Sequence, residues 1–159
     1  MNITICRIFV MFMRVIIAGG GDMGKGYAEA LLREGHDAVI IEKDERRAEA
    51  LAEAVDALVM HGDATEKGIL RDADTGSCDA FAALTGDDKA NLLAALAAIE
   101  LGAGKVAARV NDPKNEEAFR KEGVKLVINT TAMAISFLSK AFAQPGAQRK
   151  PGRGGRKYV

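Results

Sequence analysis

Six residues, Gly19-Gly20-Gly21-Asp22-Met23-Gly24, have the spacing G-x-G-x-x-G. Glycine is common in this chain, so the match gains weight from its setting. It follows a continuous apolar run, Arg14-Val-Ile-Ile-Ala18, and opens a stretch with helical periodicity. In that setting each glycine has a task. Gly19 permits a tight turn, Gly21 lets a pyrophosphate approach the backbone, and Gly24 lets the following helix pack closely on the sheet. The free N–H groups and positive dipole end of a helix from Met23 to Glu34 would face the phosphates, with Gly20, Asp22 and Met23 completing the loop.

An acidic residue, Glu42, closes the next apolar run, Ala38-Val-Ile-Ile41, at a separation from the glycines that suits a carboxylate accepting both ribose hydroxyls. A carboxylate there repels a 2′-phosphate, which favours NAD over NADP, and Lys43 beside it softens that repulsion. The adenosine of ATP or ADP satisfies Glu42 equally well. Three further groups border the same crevice. Asp63 and Ala64, in Gly62-Asp-Ala-Thr65, lie at the adenine side, although Asp63 to Glu66 also has capping-box spacing. Thr85 and Gly86 end a fourth strand next to the first, facing the phosphate or second-ribose half, while Asp87 or Asp88 suits a helix N-cap. Arg109, near the end of a fifth strand, could bring a fixed positive charge to the same mouth or form a surface ion pair.

These residues need a framework that gathers strand ends on one edge. Short apolar runs alternate with helical stripes along the chain. Strands are expected at 14–18, 38–41, 57–60, 79–84, 106–110 and 126–128. Helices are expected at 23–34, 45–54, 66–73, 88–101, 113–122 and 132–143. Six such alternations imply an α/β, doubly wound parallel six-stranded sheet, a Rossmann fold of strand order 3-2-1-4-5-6. The organisation is then an extension over 1–12 (an added strand, a partner contact or an initiation codon assigned too early), a nucleotide-binding domain over 13–143, and a flexible basic tail over 144–159. Helix 88–101 is apolar nearly all round, and the terminal helix carries Met133, Ile135, Phe137, Leu138 and Phe142. Both surpluses point to a subunit interface.

Composition fits this picture. The chain has 159 residues, 48% hydrophobic and 28% charged, enough apolar content to exclude disorder. No apolar run near the start approaches the roughly 20 residues of a membrane span, and no small-residue cleavage pattern marks a secretory signal. Two cysteines, Cys6 and Cys78, lack metal-ligand spacing and suit a reducing cytoplasm. The formal charge is zero, but 144–159 hold five Lys or Arg and no acid, leaving 17 basic against 22 acidic residues elsewhere. A mildly acidic body argues against a nucleic-acid partner. Catalytic residues are scarce. His36 and His61 are the only histidines, neither placed for hydride transfer, and no Tyr-x-x-x-Lys pair exists. Cofactor binding without a substrate site suggests a sensor rather than an enzyme. A small NAD-dependent oxidoreductase is the alternative.

Five motifs in order, Val15-Ile-Ile-Ala-Gly-Gly-Gly21, Ile40-Ile-Glu-Lys-Asp44, Gly62-Asp-Ala-Thr65, Ala83-Leu-Thr-Gly-Asp-Asp88-Lys-Ala-Asn-Leu92 and Ala108-Arg-Val-Asn-Asp-Pro113, resemble the TrkA N-terminal domain (KTN, or RCK N-lobe) family. The resemblance spans about 13–142. It implies a cytoplasmic regulatory module at the inner face of the membrane that binds NAD(H) or ATP/ADP. It also implies homodimers that assemble into rings, and a potassium-translocating membrane subunit as partner. The terminal helix would cross to a neighbouring subunit. Two departures stand out. Asp22 occupies the place of the family's usual phosphate-contacting Arg; a carboxylate about 5 Å from a phosphate costs roughly 2–3 kcal/mol unless it turns away to cap the helix, with Lys25 or Arg109 offsetting it. The family's C-terminal ligand-binding lobe also has no counterpart in these residues.

Overall fold

A computed structural model describes residues 12–143, so the expectations for 1–11 and 144–159 lie outside the described residues. The strands are β1 (Arg14–Ala18), β2 (Asp37–Glu42), β3 (Leu58–His61), β4 (Ala80–Ala83), β5 (Lys105–Val110) and β6 (Leu126–Asn129). All pair in parallel in the order β3-β2-β1-β4-β5-β6. This is the expected Rossmann topology, and it sets the ends of β1 and β4 side by side at the point where chain direction across the sheet reverses.

The central strands are apolar because both faces are covered. Along β1, Ile16 and Ala18 point into one core and Val15 and Ile17 into the other; along β2, Val39 and Ile41 alternate likewise with Ala38 and Ile40. Ile16, Ile17, Ile40 and Ile41 are at most 1% exposed, and burying each such side chain contributes about 1.5–3 kcal/mol.

Helices α1 (Asp22–Arg33) and α2 (Glu45–Ala54) pack on one face, over β1 to β3. On the other face lie α3 (Lys67–Asp72), α4 (Asp88–Leu101) and α5 (Glu116–Lys121), whose Leu70, Ala94, Ala98 and Phe119 join the Ile16 core. The last helix, α6 (Thr130–Ala143), follows β6 directly and buries none of its residues. Among the described residues the half of the sheet made by β4 to β6 therefore has no helix on the α1–α2 face.

Several boundaries move for identifiable reasons. Helix α1 begins at Asp22, because Gly21 takes the N-cap position, and Asp22 makes no capping bond. The expected single helix from Pro113 opens as a 3-10 turn, Pro113–Asn115, with Asp112 accepting from the Lys114 N–H, and only then becomes α5. Asp63 does not cap α3. The N-cap there is Glu66, and Asp63 closes a short turn onto Thr65 instead. Of the two acids offered for α4, Asp87 is the cap, accepting from the Ala90 N–H. The surplus on α4 is mostly spent inside the domain: Ala94, Ala95, Ala97 and Ala98 are buried, while Leu93 and Ile99 remain exposed. Cys78 is a buried core residue, and burial pushes its thiol up.

Gly24 fixes the approach of α1 to the sheet. A Cβ there would overlap the Gly19 carbonyl and crowd Ile17 Cγ2 at 3.3 Å. Because the obstacle is backbone, it cannot swing aside. Gly24→Ala is expected to lower stability by about 2 kcal/mol or more, measured as a shift in urea midpoint; an unchanged midpoint would show that the loop yields.

Candidate functional site

The ends of β1, β2, β4 and β5 surround a crevice of about 720 Å³, within the size range of small-molecule sites. Its wall includes Gly19, Gly21, Asp22, Met23, Glu42, Lys43, Asp63, Ala64, Thr85, Gly86 and Arg109. Gly20 and Gly24, the other two residues singled out in the sequence, stand behind the wall as packing positions.

The glycine loop is held open by its surroundings. Gly19 has φ +103° and sits against Thr85, where a Cβ would come within 2.9 Å of the Thr85 Cγ2. A Cβ on Gly20 would meet the Leu51 side chain and lie 3.1 Å from Glu42 Oε2. Gly21 differs, because a Cβ there meets nothing within 4 Å. It faces the crevice. The main-chain N–H groups of Gly21, Asp22, Met23 and Gly24 take no acceptor among the described residues, leaving a cluster of donors beside the positive end of α1.

Glu42 is 4% exposed and already engaged. Its Oε2 accepts from the Gly20 N–H at 2.8 Å, and its Oε1 accepts from the Asp44 N–H at 2.9 Å and Arg47 Nη1 at 3.3 Å. A carboxylate offers about four acceptor directions, so one remains, on Oε2. The expected chelation of both ribose hydroxyls is thus reduced to one bond unless Arg47, whose side chain is 56% exposed, swings away. Sequence reasoning passed over Arg47. Its signal is the helical spacing that returns it over the end of β2.

Asp63 is similarly committed. Its Oδ2 accepts from Lys43 Nζ at 2.7 Å, and its Oδ1 from the Thr65 N–H at 2.9 Å and Thr65 Oγ1 at 2.7 Å. The side chain therefore shapes the loop, while the N–H groups of Asp63 and Ala64, which lack protein acceptors, are the atoms able to read an adenine edge. Lys43 lies on the rim with its side chain 78% exposed.

At the opposite lip, the Thr85 hydroxyl donates to Asn91 Oδ1 at 2.7 Å and accepts from the Asp87 N–H at 3.2 Å. Thr85 thus fastens the loop, and the Gly86 N–H beside it takes no acceptor among the described residues. Asn91, fully buried on α4, also donates to the carbonyls of Thr85 at 3.0 Å and Arg109 at 2.9 Å. This residue went unnoticed within an apolar helix; its spacing from Ala94, Ala95 and Ala98 places it on the inward face. Asp88 binds the N–H groups of Asn111 and Asp112 and the side chains of Asn111 and Asn115. Burial alone would raise its carboxyl, but these donors hold it below the ordinary value. Arg109 forms no ion pair among the described residues. Its Nε is buried without a hydrogen-bond partner, so the surface-pair alternative is set aside and a guanidinium is left facing the crevice.

The Lys43 ammonium, followed by the Thr65 donors, holds the Asp63 carboxyl at about 2, below its ordinary 3.8. A depressed carboxyl stabilises the fold above its unfolded value, and that contribution is lost as pH falls through the folded value. Lys43→Met is expected to move the Asp63 titration upward toward, but not fully to, the ordinary value, because Thr65 still donates. Carboxyl ¹³C chemical shifts against pH measure this, and an unmoved Asp63 would show the pair to be ineffective.

Comparison with known proteins fits this geometry. The TrkA-N domain family matches residues 15–130. A Trk system potassium uptake protein TrkA homolog from Methanothermobacter thermautotrophicus is 39% identical over 133 residues, covering 84% of this chain and 62% of that protein. The chain thus spans about three-fifths of the length of the curated relatives it matches most fully. Among solved structures, the TrkA-N domain of inner membrane protein ybaL from Escherichia coli superposes with TM-score 0.73 at 16% identity, over 82% of this chain and 97% of that one. The GsuK channel bound to NAD gives TM-score 0.73 at 20% identity, over 80% of this chain and 23% of that one; GsuK has also been solved bound to ADP. Such distant structures establish a shared fold. With the sheet order, the glycine loop and the matched span in agreement, the chain belongs to the TrkA-N domain family.

Proposed function

We propose that this domain is the nucleotide-sensing regulatory part of a potassium transporter or channel. It holds NAD(H), or alternatively ADP or ATP, in the crevice and passes the ligand state to a membrane subunit through the geometry of its own assembly. The observation that carries the reading is the convergence on one crevice of the main-chain N–H groups of Gly21, Asp22, Met23, Asp63, Ala64 and Gly86, which take no acceptor among the described residues. An N–H on the crevice wall that no protein acceptor takes is open to a ligand, and a phosphate and an adenine edge supply such acceptors. The NAD and ADP complexes of GsuK support the choice of ligand class.

The sensor reading is preferred to an oxidoreductase because the relatives that match this chain are potassium uptake proteins. Among the described residues no helix is long and apolar enough to cross a membrane.

Assembly is supported by two apolar surfaces. Met133, Ile135, Phe137, Leu138 and Phe142 on α6 are each at least 51% exposed. A groove of about 490 Å³ on the open half of the sheet is lined by Met13, Tyr27, Ala107, Leu126 and Ile128, among others. Reciprocal docking of α6 on a second copy would bury both surfaces, and a ring would extend from such pairs. A ligand shifts this assembly only by binding one arrangement more tightly than another.

Gly21→Val is expected to weaken NAD binding at least about tenfold in calorimetry with only a small fall in the unfolding midpoint from the poorer N-cap of α1, since its side chain meets no protein atom. Glu42→Ala is expected to weaken binding and also lower stability, because the Gly20 N–H loses its acceptor. Folded wild-type protein that binds neither NAD, ADP nor ATP would remove the sensor reading. Replacing Phe137 and Phe142 together by Glu is expected to reduce the sedimenting mass to a single chain; an unchanged mass would place the interface elsewhere.

A further inference from the structure

We infer that Asp22 makes the crevice a charge filter, admitting dinucleotides and nucleotides with few phosphate charges and turning away triphosphates. The inference rests on the nucleotide reading above and concerns which nucleotide that site retains.

The crevice wall contains four acidic side chains, Asp22, Glu42, Asp63 and Asp87, against three basic ones, Lys43, Arg47 and Arg109. Most of these are already matched. Lys43 lies 2.7 Å from Asp63, and Arg47 lies 3.3 Å from Glu42. Asp87 is tied to the first turn of α4. Among the described residues three charges remain without an ion pair, the Arg109 guanidinium and the Asp22 and Asp87 carboxylates, and of the two acids only Asp87 is engaged as a helix cap.

Asp22 is the first residue of α1, exposed, and makes no side-chain capping bond. It stands where phosphates must approach the loop. The helix end offers only about half an elementary positive charge, so a full carboxylate at the first position outweighs it. Arg109 can balance Asp22, but then no cation is left over for a third phosphate. A pyrophosphate diester, as in NAD, needs the main-chain N–H donors and little net positive charge. The terminal phosphate of ATP adds negative charge at the same mouth and gains no partner for it.

The test is calorimetric titration of NAD, ADP and ATP into the wild-type chain, Asp22→Asn and Asp22→Arg, each with and without Mg²⁺ and at low and high salt. Circular dichroism confirms folding, and the near-isosteric Asp22→Asn carries the test if Asp22→Arg fails to fold. The wild-type chain is expected to prefer NAD over ATP, with the preference narrowing as salt rises. Asp22→Asn should shift the ATP-to-NAD affinity ratio toward ATP by about fivefold to tenfold, and Asp22→Arg further. A ratio unchanged within about twofold, with NAD still bound, would overturn the filter and leave the nucleotide site standing. Mg²⁺-dependent ATP binding that weakens on Asp22→Asn would also overturn it, because the carboxylate would then be serving the cation. No binding of any ligand to any folded variant would remove the nucleotide site and the filter together.

Discussion

The geometry of the crevice depends on one hydrogen bond, from the main-chain N–H of Gly20 to the buried carboxylate of Glu42. It joins the turn after β1 to the end of β2, two points 22 residues apart in the chain. Taking a carboxylate out of water is expensive unless its oxygens are met by donors. Here the Gly20 and Asp44 N–H groups and Arg47 meet them. The loop is consequently not a slack glycine run. Gly19 is wedged against Thr85, Gly20 against Leu51 and Glu42, and Gly24 against the Gly19 carbonyl, so Gly21 alone is free to face a ligand.

The second lip is built by the same principle with a neutral side chain. Asn91 lies fully inside the domain and joins Thr85 on β4's trailing loop to the Arg109 carbonyl on β5. Asp88, three residues earlier, gathers the start of the β5–α5 connection. Two strand ends that share no sequence neighbourhood are thus held at a fixed spacing by residues of one helix. A buried amide or carboxylate left without partners costs about 1–3 kcal/mol or more, so these lips resist deformation.

The helices are distributed unevenly, and the consequences differ for the two halves of the sheet. Helices α1 and α2 seal β1 to β3, where the glycine loop and Glu42 sit. Among the described residues the β4–β6 half has cover on one face only, while α6 leaves its apolar residues exposed. Exposed apolar patches of this kind mark interaction surfaces. Among the described residues the half of the sheet with the glycine loop and Glu42 is thus covered on both faces, and the other half carries the exposed apolar surfaces proposed above as an interface.

The residues alone determined the parallel sheet and the edge at which the crevice opens, because these rest on local and periodic signals: alternating buried runs, a glycine turn between strand and helix, an acid at the end of β2. Capping was less legible. Asp63 and Asp22 both have types suited to a cap, yet the chain folds Asp63 onto Lys43 and Thr65 and gives the α1 cap position to Gly21. What only tertiary structure decided is which polar groups were already spent. Glu42, Asp63 and Thr85 look like free ligand groups in sequence, but partners up to 22 residues away occupy most of their acceptor capacity, and Asn91 is invisible until α4 is laid on the sheet. Hydrogen-bond saturation is a property of space, not of spacing along the chain, so the list of candidates could be written from sequence while their availability could not.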